Sequence, residues 1–170
     1  MFGLFKTKPP MVKLNALDHP ILGRLEPHEK LSGVLRSVVN MNGADVEVWI
    51  VPDGGPLEAT LRLATDAASV LSELDARCRK FIANDSLAAY NSDWRFGGEV
   101  QADGSTKTFE KPPFNEEQFA SMLTPTTLEF TGDNTIALSY SDGDMFWGHY
   151  LCLTSFDGLA LTDLTVEMLG

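Results

Sequence analysis

The stretch Asn40-Met-Asn-Gly-Ala-Asp-Val-Glu-Val-Trp-Ile-Val51 decides the fold class of this 170-residue chain. Three apolar residues of one parity, Val46, Val48 and Ile50, alternate with polar or aromatic ones, which predicts a strand with one buried face. Its first four residues favour a hairpin turn, because Asn and Gly tolerate positive φ. The preceding run from Leu31 to Val39 alternates similarly. The two runs together predict an antiparallel meander.

Helical spacing follows a turn rich in Pro and Gly. Apolar residues three or four apart continue from Leu57 to Ala83, which predicts one long helix with a continuous apolar stripe. Residues 113–123 predict a short second helix, in which Asn115 is the N-cap and Gln118 completes a capping box.

The last third of the chain returns to strand patterns separated by Gly- and Asp-containing turns. Strands, helices and then strands, without βαβ alternation, predict an α+β fold. We expect antiparallel β-meanders at both ends of the chain, packed against one long central helix and a short second helix. Residues 1–16 are expected to form an N-terminal arm, because Pro9-Pro10 stops regular structure, and residues 17–170 a single α+β domain.

The charge of the chain is strongly acidic and uneven. The formal net charge is −11, and residues 112–170 contain nine acidic residues and no lysine or arginine. Such a field repels nucleic acid and anionic membranes and attracts a basic partner or a cation. No apolar stretch reaches the roughly 20 residues of a membrane helix, and the N-terminal lysines follow the apolar residues instead of preceding them as in a secretion signal. We therefore expect a cytoplasmic protein that binds neither nucleic acid nor membrane.

The segment Asp142-Gly-Asp-Met-Phe-Trp-Gly-His149 is the main candidate functional cluster. Its candidate residues are Asp142, Asp144, Phe146, Trp147 and His149. A second cluster, Trp94-Arg95-Phe96, adds Trp94 and Arg95 as candidates, because aromatic and arginine side chains are enriched at binding hot spots; these residues equally suit a segment that folds its aromatics under the sheet. The structural alternative is a tight turn in which Asp caps backbone amides, Phe146 and Trp147 lie in the core and His149 bonds the backbone.

No catalytic residue, cofactor or metal is assigned from the sequence. A Gly-x-Ser-x-Gly elbow, a Walker pattern and a GxGxxG fingerprint are all missing from the sequence. A metal site normally needs three or four convergent ligands, and His19 and His28 are far from His149 in the sequence. The two cysteines, Cys78 and Cys152, form no CxxC motif.

Three segments together resemble a family of small bacterial domains of unknown function. They are His19-Pro-Ile-Leu-Gly-Arg-Leu25, Leu87-x-x-Tyr-Asn-x-x-Trp94 and Asp142-Gly-Asp-x-Phe-Trp-Gly-His149. Members of that family carry a C-terminal Asp-Gly-Asp-x-Phe-x-Gly-His segment, and some relatives look like predicted immunity proteins of polymorphic toxin systems. The resemblance covers residues 17–170 and implies an architecture; it implies no established activity.

Three functional hypotheses are open. The first is a cytoplasmic binding protein, immunity-like in character, that engages a basic, toxin-like protein partner through an acidic surface. The second is a self-associating structural or regulatory module, for which a homodimer is one form. The third is a hydrolase-type enzyme that uses Asp144 and His149 as acid–base or metal groups.

Overall fold

The structure is a computed structural model and describes residues 13–170. Most of the predicted N-terminal arm therefore lies outside the described residues. The strands are β1 (Leu17–His19), β2 (Gly23–Pro27), β3 (Leu35–Met41), β4 (Ala44–Val51), β5 (Phe96–Val100), β6 (Thr106–Glu110), β7 (Thr124–Thr131), β8 (Thr135–Ser141), β9 (Tyr150–Ser155) and β10 (Thr165–Leu169). The α-helices are α1 (Leu57–Ala68), α2 (Leu71–Ala89) and α3 (Glu116–Met122). Within residues 13–170, no helix combines the length and apolar character needed to cross a membrane.

Eight strands form one mixed sheet in the order β1-β2-β3-β4-β7-β8-β9-β10. Neighbouring strands are antiparallel except β4 and β7, which run parallel with Glu47 opposite Thr127. A parallel pair needs a long crossover connection, and residues 52–123 supply it. This crossover contains α1, α2, α3 and a separate two-stranded sheet made of β5 and β6.

The predicted arrangement, an α+β fold with antiparallel β-meanders at both ends of the chain packed against one long central helix and a short second helix, is wrong. The terminal strands belong to one large sheet, and strands dominate the molecule. Helix α1 contacts β4 and β7, and α2 contacts β3 and β9. The two meanders meet edge to edge, because the free edge of β4 pairs with β7 and thereby satisfies the backbone groups of both strands.

The predicted long helix is two helices. Helix α1 ends at Ala68, and Val70 has φ −131° and ψ 24°, which is outside the helical region. The Ser69 hydroxyl donates to the Asp66 carbonyl at 2.6 Å and so competes with continued helix. Helix α2 then runs to Ala89, beyond the predicted end, and residues 90–94 continue as a π-helical turn. The predicted capping box of α3 is confirmed, since Asn115 and Gln118 bond each other's backbone amides.

The core lies between the helices and one face of the large sheet. The predicted alternation in β4 is confirmed, because Val46, Val48 and Ile50 are fully buried. Cys78 and Ile82 of α2 belong to the same apolar cluster. Burial raises the pKa of the Cys78 thiol from 9.0 to about 12, with the nearby Asp75 carboxylate adding to the effect.

A buried polar network ties α2 to the sheet. The Asp75 carboxylate is 2% exposed, and it accepts hydrogen bonds at 2.9 Å from Arg79 Nε, from the Tyr140 hydroxyl and from the Asn42 amide. Arg79 also donates to the Ala120 and Leu123 carbonyl oxygens, which lie where α3 meets β7. Burial raises the pKa of Tyr140 above its usual range. The network thus joins the β3–β4 turn, α2 and β8 at one buried carboxylate.

Candidate functional site

The segment Asp142–His149 is the connection between β8 and β9. Gly143, Asp144, Trp147 and Gly148 all have left-handed backbone conformations, with φ between 59° and 89°. Two of these four are not glycine, so the loop stores backbone strain. The buried Asp142 carboxylate offsets it, because Oδ1 accepts from the Asp144 amide at 2.9 Å and Oδ2 from the Phe146 amide at 2.5 Å. Both oxygens of Asp142 are therefore engaged with the loop's own backbone.

Phe146 anchors the loop in an aromatic cluster on the helix side of the sheet. Its buried ring lies 5.5 Å from Trp94, 6.0 Å from Phe119 and 6.2 Å from Tyr90, measured between ring centroids. The His149 ring lies 5.6 Å from Trp94, and its Nδ1–H donates to the Phe146 carbonyl oxygen at 2.5 Å. Edge-to-face aromatic packing of this kind stabilises a fixed arrangement of rings.

Trp147 lies outside this cluster and packs against the β5–β6 hairpin. Its indole N–H donates to the Trp94 carbonyl oxygen at 3.0 Å, and its ring lies 5.1 Å from Phe109. The Lys111 ammonium lies 4.5 Å from the centre of the Trp147 ring and bonds the Asp144 carboxylate at 3.0 Å. Trp147 is 41% exposed, so the expectation that it lies in the core under the structural alternative is not met.

Gly97 of β5 allows this close approach. A Cβ atom at Gly97 would lie 2.3 Å from the Trp147 ring and 2.5 Å from the Phe109 ring. Arg95 holds the start and the end of the same hairpin together. Its Nε donates to the Asn91 carbonyl oxygen at 2.9 Å, and its guanidinium bonds Glu110 and the Lys111 carbonyl oxygen. The Trp147 ring and the Lys111 ammonium thereby fix the hairpin to the loop, and Arg95 ties the hairpin to the π-helical turn at Asn91.

The structure brings all seven predicted residues into one region, where their contacts hold loops together. Asp142 caps backbone amides and His149 bonds the backbone, as the structural alternative expects. The Asp144 carboxylate accepts from the Lys111 ammonium, and the His149 ring bonds the Phe146 carbonyl oxygen. Over residues 13–170, no group of three or more His, Cys, Asp or Glu side chains is arranged to hold a metal ion.

The opposite face of the large sheet was not predicted as a site. It carries no helix in the part of the chain that the structure describes, and a cleft of about 530 Å³ lies across β4, β7, β8, β9 and β10. We call this surface the open face. Trp49 lies on one side of the cleft and Tyr150 and Leu169 on the other, while Glu129 and Cys152 line it between them. The sequence signal for this site was Trp49, a large aromatic residue on the face of β4 opposite to the buried Val46 and Val48.

The pairing register of the strands shows which charged residues lie on the open face. Directly paired residues share a face of a sheet, and the pairs Glu26–Arg36, Arg36–Trp49, Asn40–Asp45, Val38–Glu47, Trp49–Glu129 and Cys152–Glu167 belong to the open face. Arg24 alternates with the buried Leu25 as Glu26 does, and it is paired with Asp18 of β1, so both residues also lie on this face. The open face thus carries six carboxylates and two guanidiniums, and both arginines are already engaged, Arg24 by Asp18 at 3.0 Å and Arg36 by Glu47 at 3.3 Å and by Glu29 at 3.1 Å.

The nine acidic residues between positions 112 and 170, where the sequence has no lysine or arginine, do not form one surface. Only Glu129 and Glu167 lie on the open face; Asp142 is buried, and Asp157 and Asp163 bond the Ser155 hydroxyl in the β9–β10 connection. Hydrogen bonds from the Thr162 and Ser155 hydroxyls lower the pKa of Asp157 to about 2. The remaining carboxylates of the open face come from β1, β2 and β4, outside residues 112–170.

Residues 19–158 match the model of a family described as an uncharacterized protein conserved in bacteria, DUF2262. The chain belongs to this family. The expected resemblance to small bacterial domains of unknown function is confirmed to that extent. Searches of curated proteins and of solved structures gave no match. The DUF2262 range includes the Asp142–His149 loop and strands β2 to β9, so it contains both the aromatic cluster and most of the open face; the β10 residues Glu167 and Leu169 lie beyond it.

Proposed function

We propose that the protein is a cytoplasmic binding protein that engages a basic protein partner through the open face, in the manner of an immunity protein. The observation that carries the proposal is the charge of that face, where six carboxylates stand against two arginines that are already paired. Complementary charge raises the rate of association and favours correct partners over wrong ones. A net charge of −11 extends this field over the whole molecule.

The shape of the open face supports a protein partner. A broad sheet surface crossed by a cleft of about 530 Å³ can accommodate side chains of a partner. Trp49 and Tyr150 stand at the two sides of the cleft, and aromatic residues surrounded by polar ones are typical of interface hot spots. The resemblance of the Asp142–His149 segment to a motif found among predicted immunity proteins adds the immunity-like character.

The hydrolase-type alternative has less support. Asp144 is held by Lys111, and the Nδ1–H of His149 is held by a backbone carbonyl. Neither interaction gives the pair the mutual contact that acid–base catalysis by Asp144 and His149 needs. The same contacts explain both residues as parts of the loop that fixes the β5–β6 hairpin.

The test is affinity capture from a lysate of the source bacterium, with two charge-matched variants. Glu129→Gln with Glu167→Gln removes two charges from the open face, and Glu116→Gln with Glu117→Gln removes two from α3. We expect the wild-type chain and the α3 variant to retain the same basic protein at low salt and to release it at high salt. The open-face variant should retain much less of it, because removing two carboxylates weakens the same electrostatic attraction that high salt screens.

The immunity-like part of the proposal needs a second readout. The captured protein, expressed alone, should slow bacterial growth, and co-expression with the wild-type chain should restore it. Equal retention by the two variants would refute the open face as the binding surface. Capture of a basic protein without toxicity would leave binding intact and remove the immunity-like role.

A further inference from the structure

We infer that the cleft of the open face binds an arginine side chain presented by an extended segment of the basic partner. This inference rests on the proposed function and names the chemistry of the contact. Two features of the cleft carry it: an indole ring beside a carboxylate at one side, and a shallow floor of small hydroxylated side chains between that side and Tyr150.

Trp49 and Glu129 stand side by side in the cleft. They are direct partners in the parallel pairing of β4 with β7, so their side chains share the open face on strands about 4.8 Å apart. The ring of His28 packs edge-on against Trp49 at 5.4 Å between centroids and limits its movement. The Thr131 hydroxyl donates to Glu129 Oε1 at 2.8 Å and orients the carboxylate. Both groups are therefore held in place before any partner arrives.

A guanidinium group fits this pair better than an ammonium group does. Guanidinium is planar and weakly hydrated, and it stacks on an indole face while its N–H fork bonds a carboxylate. The two arginines of this face are engaged elsewhere, Arg24 by Asp18 and Arg36 by Glu29 and Glu47, so neither is paired with Glu129. The charge of the cleft thus selects a cation, and the neighbouring ring selects a flat one.

The floor of the cleft accommodates the backbone of an extended segment. Between Trp49 and Tyr150 lie β7 and β8, whose cleft-lining residues other than Glu129 are small: Thr126, Thr127, Ala137, Ser139 and Ser141. Three strand spacings separate β4 from β9, or about 14 Å, which is wide enough for one extended chain and its side chains. The floor's hydroxyl groups supply hydrogen-bonding partners for that backbone.

The test is isothermal titration calorimetry of the full chain at low salt with a capped peptide of alternating arginine and serine. A second peptide replaces each arginine by citrulline, which keeps the shape and removes the charge. We expect the arginine peptide to bind and the citrulline peptide to show no measurable binding. Glu129→Gln should weaken the arginine peptide about tenfold or more, because a charge-assisted hydrogen bond is lost. The control Glu117→Gln, on the exposed surface of α3, should change affinity less than about twofold.

The outcomes separate this inference from the proposed function. Equal weakening by the two substitutions, binding of the citrulline peptide, or failure of the arginine peptide to bind would each overturn the inference. If the peptide binds as expected and the lysate yields no basic partner, the cleft chemistry stands and the proposed function fails. If a basic partner is captured and Glu129→Gln retains it as tightly as the wild-type chain does, the proposed function stands and the inference fails.

Discussion

Replacing the buried Asp75 by leucine tests the polar network that joins α2 to the sheet. The substitution removes the acceptor of hydrogen bonds from Arg79, Tyr140 and Asn42. It leaves the Tyr140 hydroxyl buried without its partner, which costs about 1–3 kcal/mol. It also leaves Arg79, whose side chain is 21% exposed, without its counter-ion. Breaking one side of a buried ion pair costs about 3–5 kcal/mol in total, a large part of the about 5–15 kcal/mol that stabilises a typical domain.

Urea unfolding monitored by circular dichroism measures this loss as a change in the free energy of unfolding. The control is Glu73→Leu in the first turn of the same helix, where the side chain is exposed; we expect a loss below about 1 kcal/mol. A second control is the triple variant Asp75→Leu, Arg79→Met and Tyr140→Phe, which replaces the network by apolar groups. It should be more stable than Asp75→Leu alone, because no buried charge or hydroxyl is left unpaired.

Two results would refute the reasoning about Asp75. A loss below about 1 kcal/mol for Asp75→Leu would show that water or other groups satisfy Arg79 and Tyr140. A triple variant no more stable than the single variant would show that the loss comes from packing around leucine and not from unpaired polar groups.

Two further predictions concern the hairpin contact and the buried thiol. Gly97→Ala should destabilise the chain by about 1–3 kcal/mol and increase proteolysis within residues 96–110, because the new Cβ would collide with the Trp147 ring; Gly98→Ala, whose Cβ would meet only the Thr106 methyl group, is the control, and equal proteolysis of the two would contradict the contact. Cys78 alone should lower stability by about 1.4 kcal/mol per pH unit between about pH 9 and 12, because its pKa is about 12 in the folded chain and 9.0 for an ordinary thiol; the raised pKa of Tyr140 adds to the fall above about pH 10. Cys78→Ala should therefore show a shallower fall than the wild-type chain in urea titrations across this range.

Local features of the fold were predictable where one physical signal dominates. Alternation placed Val46, Val48 and Ile50 on the buried face of β4, and the residue types at Asn115 and Gln118 predicted the capping box. Both signals act over a few residues, so the sequence contains them in full.

The sheet order could not be predicted in the same way. The free edges of β4 and β7 carry no residue pattern that specifies which strand lies beside them, because backbone groups make the contact. The break between α1 and α2 was hidden as well, since the apolar stripe continues across it and the interruption comes from the Val70 backbone and the Ser69 hydroxyl.

The candidate cluster was found as a group, and its role was harder to predict. The residue types in Asp142–His149 suit a strained turn as well as they suit a binding or catalytic site. The two roles are distinguished by the partners of the Asp142 oxygens, which here are backbone amides of the same loop. The cleft was missed because it is assembled from alternate residues of five strands. Only after the register is known do Trp49 and Glu129 become neighbours.

The pairing of β4 with β7 has a consequence for synthesis on the ribosome. The four N-terminal strands are made first, yet one backbone edge of β4 has no partner until Thr131 has been synthesised and released. Contacts between residues distant in the sequence form late, and an exposed strand edge beside an apolar face is a template for aggregation. Nascent chains of this protein are therefore exposed to misassembly while residues 52–131 are being added, which is almost half of their elongation.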